Sequence, residues 1–88
     1  MKAEFRESFL KDLHHLKNAN LLAKIRQAIE NVETSDAPHQ IRNFKKLKGS
    51  DSYFRIKIGE YRVGLKMERD TIIFVRFLSR KEIYRFFP

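Results

Sequence analysis

Cysteine is absent from this chain of 88 residues, and no apolar run approaches the ~20 residues that a membrane-spanning helix needs. The missing thiols exclude disulfide bonds and thiolate metal sites, and they favour a reducing compartment. The first residues, MKAEFRESF, carry acidic side chains and lack a long apolar core, so they do not resemble a signal peptide. The sequence therefore predicts a cytoplasmic protein with no membrane association.

Acidic residues are also scarce. Eleven Asp and Glu stand against nineteen Lys and Arg, which gives a net charge of +8 and a pI near 10.1. Such an excess favours a polyanionic partner, either a nucleic acid or an acidic protein, and composition alone does not choose between them. A basic but functionally neutral surface is the alternative. The length predicts one domain, residues 1–88.

Motifs for phosphate loops, metals and nucleophilic catalysis are missing as well. The spacing from Gly59 to Gly64 lies inside a predicted hairpin and lacks the Lys-Ser/Thr that would follow in a phosphate loop. His14 and His15 are neighbours on a predicted helix and point about 100 degrees apart, while His39 stands alone in a loop. We expect no metal and no small-molecule cofactor.

Apolar periodicity predicts an α+β fold in the order β-α-α-β-β-β. Met1 to Phe5 is a predicted strand, Ser8 is a candidate N-cap for a first helix, and a turn at residues 18–20 leads to a second amphipathic helix that ends before Pro38. Three strand-like segments follow, separated by short turns that predict antiparallel neighbours: Tyr53 to Ile58, Tyr61 to Met67, and Thr71 to Phe77. The expected architecture is a helical hairpin packed on one face of a small antiparallel sheet.

The segment YFRIKIGEYRVGLKM, residues 53–67, alternates apolar and basic side chains. The apolar positions are expected to face the helices, and Phe54 and Phe74 are expected in the core. The opposite face, called here the basic face, then carries Arg55, Lys57, Arg62 and Lys66, and Arg76 joins it if the register allows. Like charges on adjacent strands repel, so their retention indicates an anionic ligand, and guanidinium groups suit phosphate.

The sequence resembles the RelE/ParE superfamily of toxins from toxin–antitoxin systems. The resemblance spans nearly the whole chain and rests on FKKLKG (44–49), the segment 53–67, TIIFVRF (71–77), SRKEIYRF (79–86) and, more weakly, FLKDLHHL (9–16). It implies the same element order. It also implies a cognate antitoxin as partner and one of two activities: ribosome-dependent cleavage of mRNA, or inhibition of DNA gyrase without nuclease activity.

The resemblance implies site residues as well, and their near-complete set favours mRNA cleavage. The 2′-hydroxyl of the RNA would attack the adjacent phosphorus and leave a 2′,3′-cyclic phosphate. Arg62 and Arg80 would hold the phosphate, Lys57 with Arg55 would assist proton transfer or position the backbone, and Tyr84 would stack on the nucleotide. The implied catalytic residues are Lys57, Arg62, Arg80 and Tyr84, and the implied contacts to RNA and the ribosome are Lys45, Lys46, Lys48, Arg55 and Lys66.

One position departs from the family pattern. Ser79 stands where several relatives have a histidine, and no carboxylate clearly faces the site, with Glu60 in a turn and Glu82 between Arg80 and Tyr84. Catalysis would then run without a His or Glu, unless Glu82 is the base or this copy is weak or inactive. A non-catalytic domain that binds only its antitoxin or RNA is the third alternative. Arg62 and Arg80 are expected to be replaceable without loss of the fold.

Overall fold

The computed structural model describes residues 1–88 and confirms the α+β class and the predicted element order, with a strand and a C-terminal helix in addition. None of its helices combines the length and the apolarity that crossing a membrane requires. In chain order the elements are β1 (Lys2–Phe5), α1 (Glu7–His14), α2 (Ala19–Thr34), a 3-10 turn (Pro38–Gln40), β2 (Phe44–Lys46), β3 (Tyr53–Ile58), β4 (Tyr61–Glu68), β5 (Thr71–Ser79) and α3 (Arg80–Phe86).

The start of each long helix differs from its prediction. Ser8 does not cap α1, because the N-cap position is occupied by Arg6, two residues earlier, and the Ser8 hydroxyl instead donates to the carbonyl of Val75 in β5. The turn predicted at residues 18–20 lies earlier in the chain, because α1 ends at His14 and α2 begins at Ala19, so residues 15–18 connect the two helices. Asn18 alone stays outside α2, and its side chain accepts a hydrogen bond from the Leu21 N–H at 3.0 Å, as an N-cap residue does.

The five strands lie in the order β1-β5-β4-β3-β2. The three predicted strands β3, β4 and β5 are antiparallel neighbours, joined by tight turns. The prediction of an antiparallel sheet is wrong at one edge, since β1 pairs parallel with β5 and places Lys2 opposite Thr71. β2 was not predicted because it has three residues, two of them Lys, and it pairs with β3 only over Phe54–Ile56.

The main core lies between the sheet and the first two helices. Its largest members include Phe9 of α1 and Phe74 of β5, both fully buried, with ring centroids 5.4 Å apart. Phe74 is thus a core residue as expected. Phe54 is only half-buried and stacks on Phe44 of β2, with ring centroids 4.4 Å apart. α1 packs along β5, whereas α2 contacts β1 and β3.

A second, smaller apolar cluster covers part of the opposite face. Ile73, Ile83 and Phe87 are each buried but lie outside the main core. A Cβ added to Gly64 would come within 2.8 Å of the Phe87 ring, so the ring lies directly on the glycine backbone. The expected architecture has helices on one face of the sheet only, whereas α3 folds back over part of the other face as well.

Candidate functional site

The strand register brings the predicted basic residues to one face. Lys57 lies opposite Arg62, and Lys66 lies opposite Tyr53. Arg55 faces Lys45 of β2 across one strand boundary and Gly64 of β4 across the other. Residues directly opposite in a sheet share a face, so the alternation in the sequence does produce a basic face. What distinguishes its members is the partner that each one has.

Arg62 is buried, with 7% of its surface exposed. Its Nη1 donates to the carbonyls of Gly59 and Tyr61, at 2.9 Å each, while its Nε–H has no hydrogen-bond partner. Burial of a cation is costly unless it is paired, yet Arg62 forms no ion pair. Because Arg62 is buried, we expect its replacement to lower the stability, while the survival of the fold in such a variant stays a prediction.

Lys57 and Arg80 lie at the same end of the basic face as Arg62, and both are exposed. The backbone N–H of Arg80 donates to the carbonyl of Glu60 at 2.8 Å, which fixes the first residue of α3 against the turn between β3 and β4. Neither side chain forms an ion pair. We call Lys57, Arg62 and Arg80 the turn-side cations.

Lys66 and Arg76 form the contrasting group, called here the paired cations. The Lys66 ammonium lies 3.0 Å from a Glu68 oxygen, and that hydrogen bond holds the pKa of the Glu68 carboxyl below its ordinary value. Arg76 Nε and one terminal nitrogen donate to the two Asp12 oxygens at 2.7 and 3.2 Å. This contact raises the pKa of the Arg76 guanidinium. Arg76 therefore lies on the basic face but is not a free cation.

Tyr84 stands one helical turn after Arg80, so both side chains lie on the same flank of α3. Its side chain is exposed, at 66%. Ile83 and Phe87 form the buried stripe of this segment, and the Tyr53 ring meets the Phe87 ring edge-on at 5.5 Å. The tail predicted as either a short helix or an irregular end is thus a helix, anchored by its apolar stripe, and Tyr84 is free to contact a ligand.

The lysines proposed as ribosome contacts occupy different positions. Lys45 is exposed on the basic face opposite Arg55. Lys46 lies opposite Phe54 and so projects from the other face, where it binds Asp51 at 3.1 Å. Lys48 is exposed in the following turn. The three lysines therefore do not form a single patch.

Ser79 and Glu82 are hydrogen-bonded to each other at the start of α3. The Ser79 hydroxyl donates to the Glu82 carboxylate at 2.9 Å, and the Glu82 N–H donates to the same hydroxyl at 3.3 Å. Ser79 is thus the N-cap residue of α3, and its hydroxyl satisfies an N–H group that the first helical turn leaves without a partner. The serine in the position of the expected histidine therefore has a structural function, and Glu82 is committed to the cap.

Three residues that shape the basic face were missed by sequence reasoning: Asp12, Gly64 and Phe87. Each left a local signal. Asp12 follows Phe9 by three residues and so falls on the buried stripe of α1, Gly64 interrupts a strand where a close backbone approach is a usual cause, and Phe87 follows Ile83 at helical spacing. None of these signals identifies the partner.

The chemistry of this arrangement is that of an anion site. Arg62 offers an unused donor in a buried setting, and the exposed side chains of Lys57 and Arg80 flank it without competing carboxylates. A phosphate placed among them would receive charge-assisted hydrogen bonds from two guanidinium groups and one ammonium group. An exposed aromatic ring on the neighbouring flank of α3 offers a stacking surface.

Comparison with known proteins defines the class. Residues 3–84 match the family described as the ParE toxin of type II toxin-antitoxin system, parDE. The chain therefore belongs to the RelE/ParE superfamily of toxins of type II toxin–antitoxin systems. Its curated relatives place it on the RelE side: it is 40% identical over 89 residues to Toxin RelE3 of Methanocaldococcus jannaschii, covering all of both chains.

Solved structures agree with this assignment. The toxin in the RelB–RelE antitoxin–toxin complex from Methanococcus jannaschii superposes with a TM-score of 0.80 and 39% identity, over 97% of this chain and 99% of that one. In the archaeal RelE–RelB complex from Pyrococcus horikoshii the TM-score is 0.72 at 18% identity, over 90% and 93% of the two chains. At that identity the second likeness concerns the fold alone.

Proposed function

We propose that this toxin is a ribosome-dependent mRNA endonuclease that inhibits translation. One observation carries the proposal. Arg62 is buried beside the turn, forms no ion pair and keeps an unused Nε–H donor, while the unpaired cations Lys57 and Arg80 lie at the same end of the face. A purely structural arginine at such a site would be expected to have a carboxylate partner.

The reaction is a transfer within the RNA strand. The 2′-hydroxyl loses a proton and attacks the adjacent phosphorus, the bond to the 5′-oxygen breaks, and that oxygen takes up a proton, which leaves a 2′,3′-cyclic phosphate. Charge accumulates on the phosphate oxygens in the transition state. Arg62 and Arg80 stabilise that charge, Lys57 with Arg55 assists proton transfer and positions the backbone, and Tyr84 stacks on the nucleotide.

Glu82 is a poor candidate for the base. Its carboxylate accepts the Ser79 hydroxyl, and it leaves α3 on a different flank from Tyr84. In this proposal Lys57, as a neutral amine, takes the proton from the 2′-hydroxyl and returns it, as an ammonium, to the leaving 5′-oxygen. Glu82→Gln keeps an acceptor for the cap, so we expect cleavage to survive that substitution.

The test is primer extension on a defined mRNA incubated with the protein, with and without ribosomes. We expect cuts only when ribosomes are present. Arg80→Ala should reduce the cleavage rate by at least about 100-fold, as loss of a transition-state charge donor does. Lys81→Ala is the matched control, an exposed cation on the same helix, and should cleave at the rate of the unchanged protein. Equal losses in both variants would contradict the assigned site.

A gyrase inhibitor is the second candidate, and the family match to ParE toxins favours it. Such a protein would bind its target without cleaving RNA and should tolerate loss of Arg80 or Tyr84. Folded, toxic protein that gives no cuts with or without ribosomes would move the assignment to gyrase. Inhibition of supercoiling by the purified protein would then establish it.

We also propose a cognate antitoxin as partner, because the similar archaeal toxins are found in complexes with antitoxins of the RelB kind. An antitoxin helix lying against the toxin would cover or distort the basic face. Co-expression of the cognate antitoxin should relieve toxicity, and the antitoxin should co-purify with the chain. Ribosome and mRNA complete the set of partners.

A further inference from the structure

A polar groove lies beside the turn-side cations, on the other side of Lys57. It has a volume of about 640 Å³ and is bounded by α2, by the segment before β2, and by the end of β3. The groove exists because β2 pairs with β3 only over Phe54–Ile56, so the rest of β3 has no strand neighbour on that side. A volume of this size is in the range of small-ligand sites.

The groove is lined by three cations, Lys24, Arg42 and Lys57, against one carboxylate, Glu30. None of these four residues takes part in an ion pair. Unpaired cations that converge on a concave surface attract anions. The positive charge of the groove therefore adjoins that of the turn-side cations, and Lys57 belongs to both groups.

Amide side chains complete the lining. Gln27 and Asn31 project from α2, and the Asn31 Oδ1 accepts the Arg42 N–H at 2.8 Å, which directs its amide in a fixed orientation. The Asn31 NH₂ group and the Gln27 amide remain available as donors and acceptors, and the Glu30 carboxylate is an acceptor. Such groups can bind the edge of an unpaired base, which has both donors and acceptors.

We propose that this groove binds the continuation of the single-stranded RNA whose phosphate lies at the turn-side cations. The proposal rests on the proposed function, because it takes RNA as the ligand of the adjoining site. Lys24 and Arg42 contact a phosphate one or more nucleotides away, and the amides of Gln27 and Asn31 contact a base. The groove thus lengthens the RNA footprint beyond the residues that the family resemblance supplies.

The experiment uses isotope-labelled protein and two 2′-O-methyl RNA oligonucleotides, a dimer and a hexamer of one sequence. Both resist cleavage because the attacking hydroxyl is blocked. We expect both to shift backbone amide signals near Lys57 and Arg62, and only the hexamer to shift those of Gln27, Asn31 and Arg42. A hexamer that leaves the groove signals unmoved would overturn the proposal.

Two substitutions and one control measure the contribution of the groove. Lys24→Gln and Arg42→Gln should each weaken hexamer binding about three- to fivefold, as for other exposed charge contacts, and leave dimer binding unchanged. Each should also reduce the salt dependence of hexamer binding by about 0.7 in the log–log slope. Arg26→Gln, an exposed cation of α2 outside the groove, should change neither. If Arg26→Gln weakens hexamer binding as much as the groove variants do, the effect arises from net charge alone, which would contradict the proposal.

The outcomes separate the groove from the proposed reaction. If the protein cleaves mRNA on ribosomes but the hexamer does not shift the groove signals, the groove proposal is wrong and the nuclease proposal stands. Groove signals that respond to the hexamer, in a protein that never cleaves, would keep an RNA-binding groove and remove the nuclease. Groove signals that move only with an antitoxin peptide would show that the occupant is protein and overturn the proposal.

Discussion

At the turn side of the basic face, Lys57, Arg62 and Arg80 form no ion pair, whereas Lys66 and Arg76 on the same face are each held by an acid. All five are cations in or next to the last three strands. The difference lies in what faces them: Asp12 reaches Arg76 from α1, and Glu68 reaches Lys66 along its own strand. Charge in the sequence therefore marks where a basic face lies, and the distribution of acids decides which part of it is available to an anion.

The largest expected effect concerns the anchor that holds α3 and its turn-side residue Arg80 in place. Phe87→Ala removes a buried ring from the backbone of Gly64, and we expect the free energy of unfolding to fall by about 3 kcal/mol. Urea denaturation measures this change. Phe86→Ala is the control, since that ring is 54% exposed, and should cost less than about 0.5 kcal/mol.

The Phe87 contact can be isolated with a second substitution. Gly64→Ala alone should destabilise the protein by about 1 to 3 kcal/mol, because its Cβ meets the ring. In the Phe87→Ala background the same change should cost little, so the two effects are not additive. Additive costs would mean that Gly64 is needed for another reason.

A smaller effect is expected on the side of the paired cations. Asp12→Asn keeps an acceptor for the Phe77 N–H but removes the charge that binds Arg76, and we expect a loss of about 1 kcal/mol. If the paired cations lie outside the functional site, cleavage should not improve when Arg76 is released. Faster cleavage in this variant would show that Asp12 restrains a functional cation.

At Arg62, one of the turn-side cations, two contributions to the free energy of unfolding oppose each other. Arg62→Ala loses two hydrogen bonds to turn carbonyls but also removes an unpaired buried charge, so we expect a net cost of only about 1 kcal/mol. Arg62→Met retains most of the apolar stem and should cost less than the alanine variant. Both should abolish cleavage. A methionine variant that is much less stable than the alanine variant would contradict this balance.

The smallest effect is a pH dependence at Glu68. Its pKa is lowered in the folded state, so its contribution to stability is present above the ordinary carboxyl pKa and is lost as the pH falls through the lowered value. Thermal unfolding of the unchanged protein and Glu68→Gln should differ slightly at neutral pH and converge in acid. The side chain is exposed, so the difference should shrink in high salt as well.

The parts of the fold that depend on local pattern were predictable. Alternation identified β3 and β4, a continuous apolar run identified β5, and helical spacing identified α1 and α2, since all three patterns arise from neighbours in the chain. The parallel pairing of β1 with β5, the contact of Asp12 with Arg76, and the position of Phe87 over Gly64 join distant segments. Local sequence does not specify such contacts. This is why the composition of the basic face was anticipated and the neutralisation of Lys66 and Arg76 was not.

The parallel pairing of Lys2 with Thr71 also has a kinetic consequence. The first strand of the chain has no sheet partner until β5 exists, so one edge of the sheet can close only late in synthesis. Contacts with such long sequence separation slow folding, because loop closure precedes the stabilisation that they bring. Arg80 and Tyr84 follow β5 in the chain, so a nascent chain has neither a complete sheet nor a complete site. The order of synthesis thus completes the candidate site only once α3 has been made.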